Sequence, residues 1–257
     1  MYTLQAKLDK KEIDLTFHDE QPDMFGYIPP RTLEVKEVVK TVYDDQHLLI
    51  RCIQQLHAKN GFELDPTYSK GEFYRKQGVP EPQFKYDLFP QTEDTVQANA
   101  NELPLPDLSI KTMMFDPPFI AGFSKSKPTG IIGERFHGFK NIQELWTWYD
   151  QCLAEFYRIL KPKGILVFKC QDTVSVNKNW FSHCHIMNLA VNKGFYPKDM
   201  FVLTAKSRPL GHNHTKQQHA RKFHSYFWVF EKKKNRVPYA LPYDLNHDTH
   251  NHNNPCK

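Results

Sequence analysis

Asp116, Pro117, Pro118 and Phe119 follow directly on the apolar run Thr112-Met113-Met114-Phe115, and their order suits one kind of chemistry. Two consecutive prolines remove two backbone donors and stiffen the turn, so the Asp116 carboxylate and the Pro117 carbonyl can both face outward as acceptors beside the flat ring of Phe119. Such a cradle suits a planar amine. The exocyclic amino group of a nucleobase delocalises its lone pair into the ring. Two acceptors on its N–H bonds favour a more pyramidal nitrogen, able to attack an electrophilic methyl carbon, while the aromatic wall holds the base by stacking. The same four residues would also make a plain Pro-Pro turn capped by a structural aspartate, so their neighbours decide.

Those neighbours read as alternating strands and helices. Val35, Val38, Val39 and Val42, then Leu49, Cys52, Ile53 and Leu56, recur at helical steps and predict a helix from Leu33, broken near Asp44-Asp45 and stopped at Asn60-Gly61. Short buried strands are expected at residues 62–64, 84–86, 96–98 and 112–115, each followed by turn residues or a carboxylate or amide side chain. Leu145, Trp148, Tyr149, Cys152, Leu153, Phe156, Ile159 and Leu160 keep one face apolar and predict a core helix, ended by Lys161-Pro162-Lys163-Gly164 with Gly164 taking the positive φ. A buried strand over 165–168, a helix over 176–193 closed by Gly194, and strands over 200–203 and 226–230 complete the pattern. Alternation of this kind makes a mainly parallel sheet, and the last pair, joined by a polar loop, predicts an antiparallel edge. Residues 1–32 read as irregular, 33–234 as the catalytic domain and 235–257 as a flexible tail.

At this point the chain resembles the class I S-adenosylmethionine-dependent amino-methyltransferases, the group with DNA N6-adenine and N4-cytosine enzymes and some RNA enzymes. The likeness runs over roughly 33–231 and implies a Rossmann-like α/β fold with S-adenosyl-L-methionine as cofactor. By that resemblance Asp116, Pro117, Pro118 and Phe119 form the catalytic loop. Asp65, Pro66, Thr67 and Gly71 in Asp65-Pro66-Thr67-Tyr68-Ser69-Lys70-Gly71 match the cofactor loop, with Thr67 in place of its aromatic residue and Ser69 in place of its first glycine. Asp87, at the end of the second strand, matches the acid that receives the ribose hydroxyls. Asn99, at the third strand tip, matches the residue set against the adenine amino group. Read without the family, Asp87 and Asn99 are equally good turn residues, and Arg158 is a helix-end cation.

Charge and size narrow the partners. The 257 residues carry a net charge of +5 and a mean hydropathy of −0.64, with no apolar run long enough to span a bilayer. Between Phe201 and Arg236 nine basic residues face Glu231 alone, which suits a polyphosphate partner. Loops over 120–141 and 204–223 flank the strand ends and are expected to face nucleic acid through Lys125, Lys127, Arg135, Lys216, Arg221 and Lys222, with Lys169 and Asp172 lining the target-base pocket. The base would be flipped out of its stack or already single-stranded. The resemblance favours DNA over RNA, and adenine N6 over cytosine N4 because the turn begins with Asp. A non-catalytic nucleic-acid-binding module on the same fold is the alternative of another class. Five scattered cysteines and no signal-peptide pattern point to a reducing, cytoplasmic setting with no membrane partner. The histidines lack the Cys-x-x-Cys pairing of a structural zinc site, so no metal is expected. His183 and His185 are expected on the exposed side of their helix around a buried Cys184.

Overall fold

The computed structural model describes residues 3–8, 11–16, 38–75, 78–119, 121, 139–175, 178–205 and 219–233. In chain order these form β1 (Thr3–Leu8), β2 (Lys11–Thr16), β3 (Val42–Tyr43), α1 (Gln46–His57), β4 (Leu64–Asp65), β5 (Phe84–Asp87), β6 (Val96–Gln97) and β7 (Ile110–Phe115). They continue with α2 (Ile142–Ile159), β8 (Leu160–Cys170), β9 (Thr173–Ser175), β10 (Lys178–Trp180), α3 (Ser182–Lys193), β11 (Phe195–Thr204) and β12 (His224–Lys232).

One eight-stranded sheet has the order β3-β11-β12-β8-β7-β4-β5-β6. Its pairs are parallel except that β12 runs antiparallel to both β11 and β8. This is the mainly parallel α/β sheet that the alternation implies, in the Rossmann-like arrangement expected from the resemblance. The antiparallel strand lies within the sheet, not at its edge, because β12 is apolar on both faces and needs cover on each. Phe227 and Val229 join the cluster under α1, whereas Phe230 joins the one under α2 and α3. The same alternation runs through β7 and β8: Phe115, Leu166 and Phe168 point to the α2 side, Met114, Ile165 and Val167 to the α1 side. Continuous apolar runs are therefore the signature of strands covered twice.

The boundaries show where local chemistry overrides periodicity. Asp45 is the N-cap of α1, its carboxylate accepting the His47 and Leu48 N–H groups at 2.8 and 3.0 Å, so the expected break is the helix start and Val42 belongs to β3. Asn141 caps α2 through the Glu144 N–H at 2.9 Å. After α2 the left-handed residue is Lys163, with φ 63°, and not Gly164. Gly164 is there for space: a Cβ on it would sit 2.8 Å from the Lys161 carbonyl oxygen and 3.2 Å from that of Lys111. Gly194 does close α3 in the left-handed region, at φ 98°. Two hairpins depart from expectation. β1 and β2 pair with Leu4 opposite Leu15 and Ala6 opposite Ile13, within the segment read as irregular. β10 occupies the start of the segment read as helix, paired with β9 just before it, and the helix begins only at Ser182. Residues 235–257 lie outside the described residues. No helix among the described residues is long and apolar enough to cross a membrane.

Candidate active site

From β4 the chain order departs in two directions, with β5 and β6 on one side and β7 and β8 on the other. A crevice opens beyond the strand ends at such a reversal. Here it is a cavity of about 370 Å³. One wall is Asp116, Pro117, Pro118 and Phe119; Pro66, Thr67, Asp87 and Asn99 line it as well, with Leu88, Phe89, Phe139 and Trp148 adding apolar surface. The four residues of the turn and four of the six expected to hold the cofactor thus share one cavity.

The turn is held from three sides. Phe115, just before it, packs edge-on against Phe156 and Phe168 with centroids 4.7 and 4.8 Å away. The Tyr149 hydroxyl donates to the Pro118 carbonyl. The Asp116 N–H donates to Thr67 Oγ1 at 2.9 Å, and the Lys169 ammonium donates to Asp116 Oδ2 at 3.0 Å.

The loop expected to hold the cofactor is organised around Asp65, and its carboxylate does not face the cavity. Only 1% exposed, it accepts the Thr67 N–H at 2.8 Å, the Thr67 hydroxyl at 3.1 Å and the Tyr74 hydroxyl at 2.8 Å. Burial pushes its pKa up to about 7 against the opposing pull of these bonds. Asp65 therefore supports the loop from beneath, a correction to its expected contact with cofactor. Gly71, at φ 67°, is likewise not among the described residues lining the cavity; its missing Cβ leaves room for the Tyr68 hydroxyl. Ser69 takes a left-handed φ of 54° where the family pattern has glycine, and Asp87 Oδ2 holds its N–H at 2.9 Å. Asp87 Oδ1 accepts the Phe89 N–H at 2.8 Å. Both carboxylate oxygens are thereby oriented.

Asn99 is oriented by a residue that periodicity had placed in the core. The Trp148 indole N–H, which can only donate, lies 3.1 Å from Asn99 Oδ1, and the Asn101 N–H reaches the same oxygen at 3.4 Å. The amide therefore offers its N–H donors to a ligand and not its acceptor. Trp148 and Tyr149 escaped the sequence reading because an apolar helical face says nothing about where a ring's polar end goes. Their adjacency was the available signal: two neighbours on a helix cannot point the same way.

The residues expected to hold substrate divide. Lys169 joins Asp116. Asp172 is buried against His183, accepting its ring nitrogen at 2.7 Å and its backbone N–H at 3.3 Å. His183 stacks on Tyr226 and His185 on Trp146, while Cys184 is the exposed residue, the reverse of the expected arrangement. The Arg221 guanidinium lies 5.2 Å from the Phe223 ring and the Lys222 ammonium 5.6 Å from that of Phe181. Lys125, Lys127, Arg135 and Lys216 lie outside the described residues.

Among curated proteins none matches the chain. Three solved structures that do are TTHA0409 of Thermus thermophilus, whose name is that of a DNA modification methylase, in complex with S-adenosyl-L-methionine, the PvuII cytosine-N4-specific DNA methyltransferase, and TrmN of Thermus thermophilus. Identities are 17%, 18% and 15%, and TM-scores 0.39, 0.40 and 0.41. The matches cover 57%, 55% and 72% of this chain but only 57%, 49% and 48% of those chains, so this chain spans about half their length. The family model for DNA methylases of the N6/N4 type matches residues 110–255, from β7 through the turn and onward. That is more than half of the sequence, and the chain belongs to the N6/N4 DNA methylase family.

Proposed function

We propose that this chain transfers a methyl group from S-adenosyl-L-methionine to the exocyclic amino group of a base in DNA, adenine N6 in preference to cytosine N4. The observation that carries the reading is the shared cavity: an acceptor turn and the cofactor-side residues open onto one space, where donor and amine would meet. Bound there, the cofactor supplies a methyl carbon made electrophilic by its sulfonium. The residues present fit it. Asp87 presents an oriented carboxylate to the ribose hydroxyls, Leu88 and Phe89 give apolar surface to a purine ring, and Asn99 offers amide donors to its edge.

On the substrate side the Asp116 carboxylate and the Pro117 carbonyl accept the two amino N–H bonds, and Phe119 stacks on the base. As the new N–C bond formed and the methyl–sulfur bond broke, positive charge would develop on nitrogen, where the adjacent Asp116 carboxylate would stabilise it until one N–H proton passed to water. Reaching this turn requires the base to leave the duplex stack. Arg221 and Lys222, set against aromatic rings, form a basic and aromatic surface of the kind that tracks phosphates. The preference for adenine rests on the Asp that begins the turn and on family likeness.

Transfer of tritiated methyl from S-adenosyl-L-methionine, followed by nucleoside mass spectrometry, tests the reading. Label is expected in DNA as N6-methyladenine; label confined to RNA, or no calorimetric heat with the cofactor at millimolar concentration, overturns it. Asp116→Ala should suppress transfer about a hundredfold or more with cofactor affinity intact, whereas Asp87→Ala should weaken cofactor binding first.

A further inference from the structure

Asp116 is paired with a cation. Lys169 Nζ stands 3.0 Å from Asp116 Oδ2, with side chains only 14% and 25% exposed. The ammonium also sits 4.9 Å from the Phe73 ring centroid and 5.7 Å from that of Phe227, so it is steered by two aromatic faces as well as by the carboxylate. Asp116 is fixed in turn through its N–H to Thr67. An ammonium has three donors, and the carboxylate takes one. An acceptor just beyond β7 and a donor at the end of the adjacent β8 therefore stand side by side.

Two nucleobases carry the complementary pattern on their Watson–Crick edge. In adenine the N6 amino group is a donor next to N1, an acceptor; in cytosine the N4 amino group is a donor next to N3, an acceptor. Guanine places N1–H on one side of its N2 amino group and the acceptor N3 on the other, next to the sugar, and thymine has no amino group. We propose that Asp116 and Lys169 together read this amidine edge, Asp116 accepting from the amino group while Lys169 donates to the ring nitrogen beside it. The inference rests on the reading above and deepens it: the pair admits the Watson–Crick edges of adenine and cytosine and turns away that of guanine through the clash of Lys169 with N1–H. Lys169 withdraws some electron density from the amino group as it binds the ring, and the Asp116 carboxylate opposes that. Selectivity is thus obtained at some cost in nucleophilicity.

The test uses a DNA duplex bearing the target site, mapped from methylated DNA, with 1-deazaadenine in place of the target adenine, or 3-deazacytosine where the target is cytosine. The analogue keeps shape and amino group but replaces the ring acceptor by C–H. It also pairs more weakly in the duplex and has a more electron-rich amine, so base flipping and intrinsic reactivity both favour it. The wild-type protein is expected to lose about ten- to a hundredfold in kcat/KM on the analogue, as one charge-assisted hydrogen bond requires. Lys169→Met is expected to lower transfer to the normal base and to abolish the difference between base and analogue. Equal rates on both bases with the wild-type protein overturn the inference alone and leave Lys169 as a positioning residue for Asp116. Absence of transfer to any DNA overturns it together with the parent reading. The wild-type comparison decides the matter even where the variant does not fold.

Discussion

The Thr67 hydroxyl joins the two loops of the site, donating to Asp65 Oδ1 at 3.1 Å and accepting the Asp116 N–H at 2.9 Å. The residue that departs from the family's aromatic is thus the one that couples the loop proposed to hold the cofactor to the acceptor turn. Thr67→Val keeps the shape and removes both bonds, leaving a polar group on each side short of a partner. It should cost about 1–3 kcal/mol of stability and lower kcat about tenfold or more, with little change in the KM for cofactor, because the Thr67 N–H still binds Asp65. Thr67→Ser should recover most of both. A serine variant as impaired as the valine one, in steady-state kinetics and urea titration, would show that the methyl group and not the hydroxyl matters.

Asp65 makes stability depend on pH in an unusual sense. Its pKa, ordinarily 3.8, lies at about 7 in the folded chain because burial disfavours the charged form. Between these values the native state holds more protons than the unfolded one, so stability falls as pH rises from about 4 to about 7, by at most ~1.4 kcal/mol per pH unit. Asp65→Asn removes the titration while leaving an oxygen for Thr67. Urea midpoints measured across this range should fall with pH in the wild type more steeply than in the variant; parallel curves would mean that Asp65 ionises normally.

What could be read from the sequence was whatever two-sided burial writes into it. Thr112 to Phe115 and Ile165 to Phe168 announce themselves as strands because both faces are covered, and α2 because its buried residues repeat over the whole helix. The acceptor turn could be found for the same reason, since it abuts such a strand. The hairpin of β9 and β10 could not, because three residues per strand leave no period to detect. Nor could the direction of Asp65: an aspartate at a strand tip looks the same whether it faces a ligand or its own chain, and only the Tyr74 and Thr67 hydroxyls settle which.

Trp148 and Asn99 give a prediction that separates orientation from contact. Trp148→Phe keeps an aromatic ring but deletes the donor that fixes the Asn99 amide. Losing one neutral hydrogen bond should raise the KM for S-adenosyl-L-methionine by about two- to tenfold with kcat nearly unchanged. A selective fall in kcat would instead connect Trp148 to the acceptor turn, which Phe115 places close by, 5.9 Å between ring centroids.

Asp172, expected to meet substrate, has a structural task that predicts a different phenotype. The N-cap of α3, Phe181, has no side-chain oxygen, and Asp172 supplies the missing acceptor from beyond the end of β8, taking the His183 N–H at 3.3 Å as well as its ring at 2.7 Å. Burial raises its pKa, but the bonds from His183 pull harder, so the group titrates below the ordinary carboxylate range. A depressed folded pKa contributes stability above the unfolded value and loses it as acid protonates the group. Asp172→Asn should therefore cost about 1–3 kcal/mol at pH 7. The gap to wild type should narrow below about pH 4. Urea titration at the two pH values checks this, together with kcat per folded molecule, which should stay within about twofold of wild type. A folded Asp172→Asn protein with wild-type stability and lost transfer would return Asp172 to the substrate side of the site.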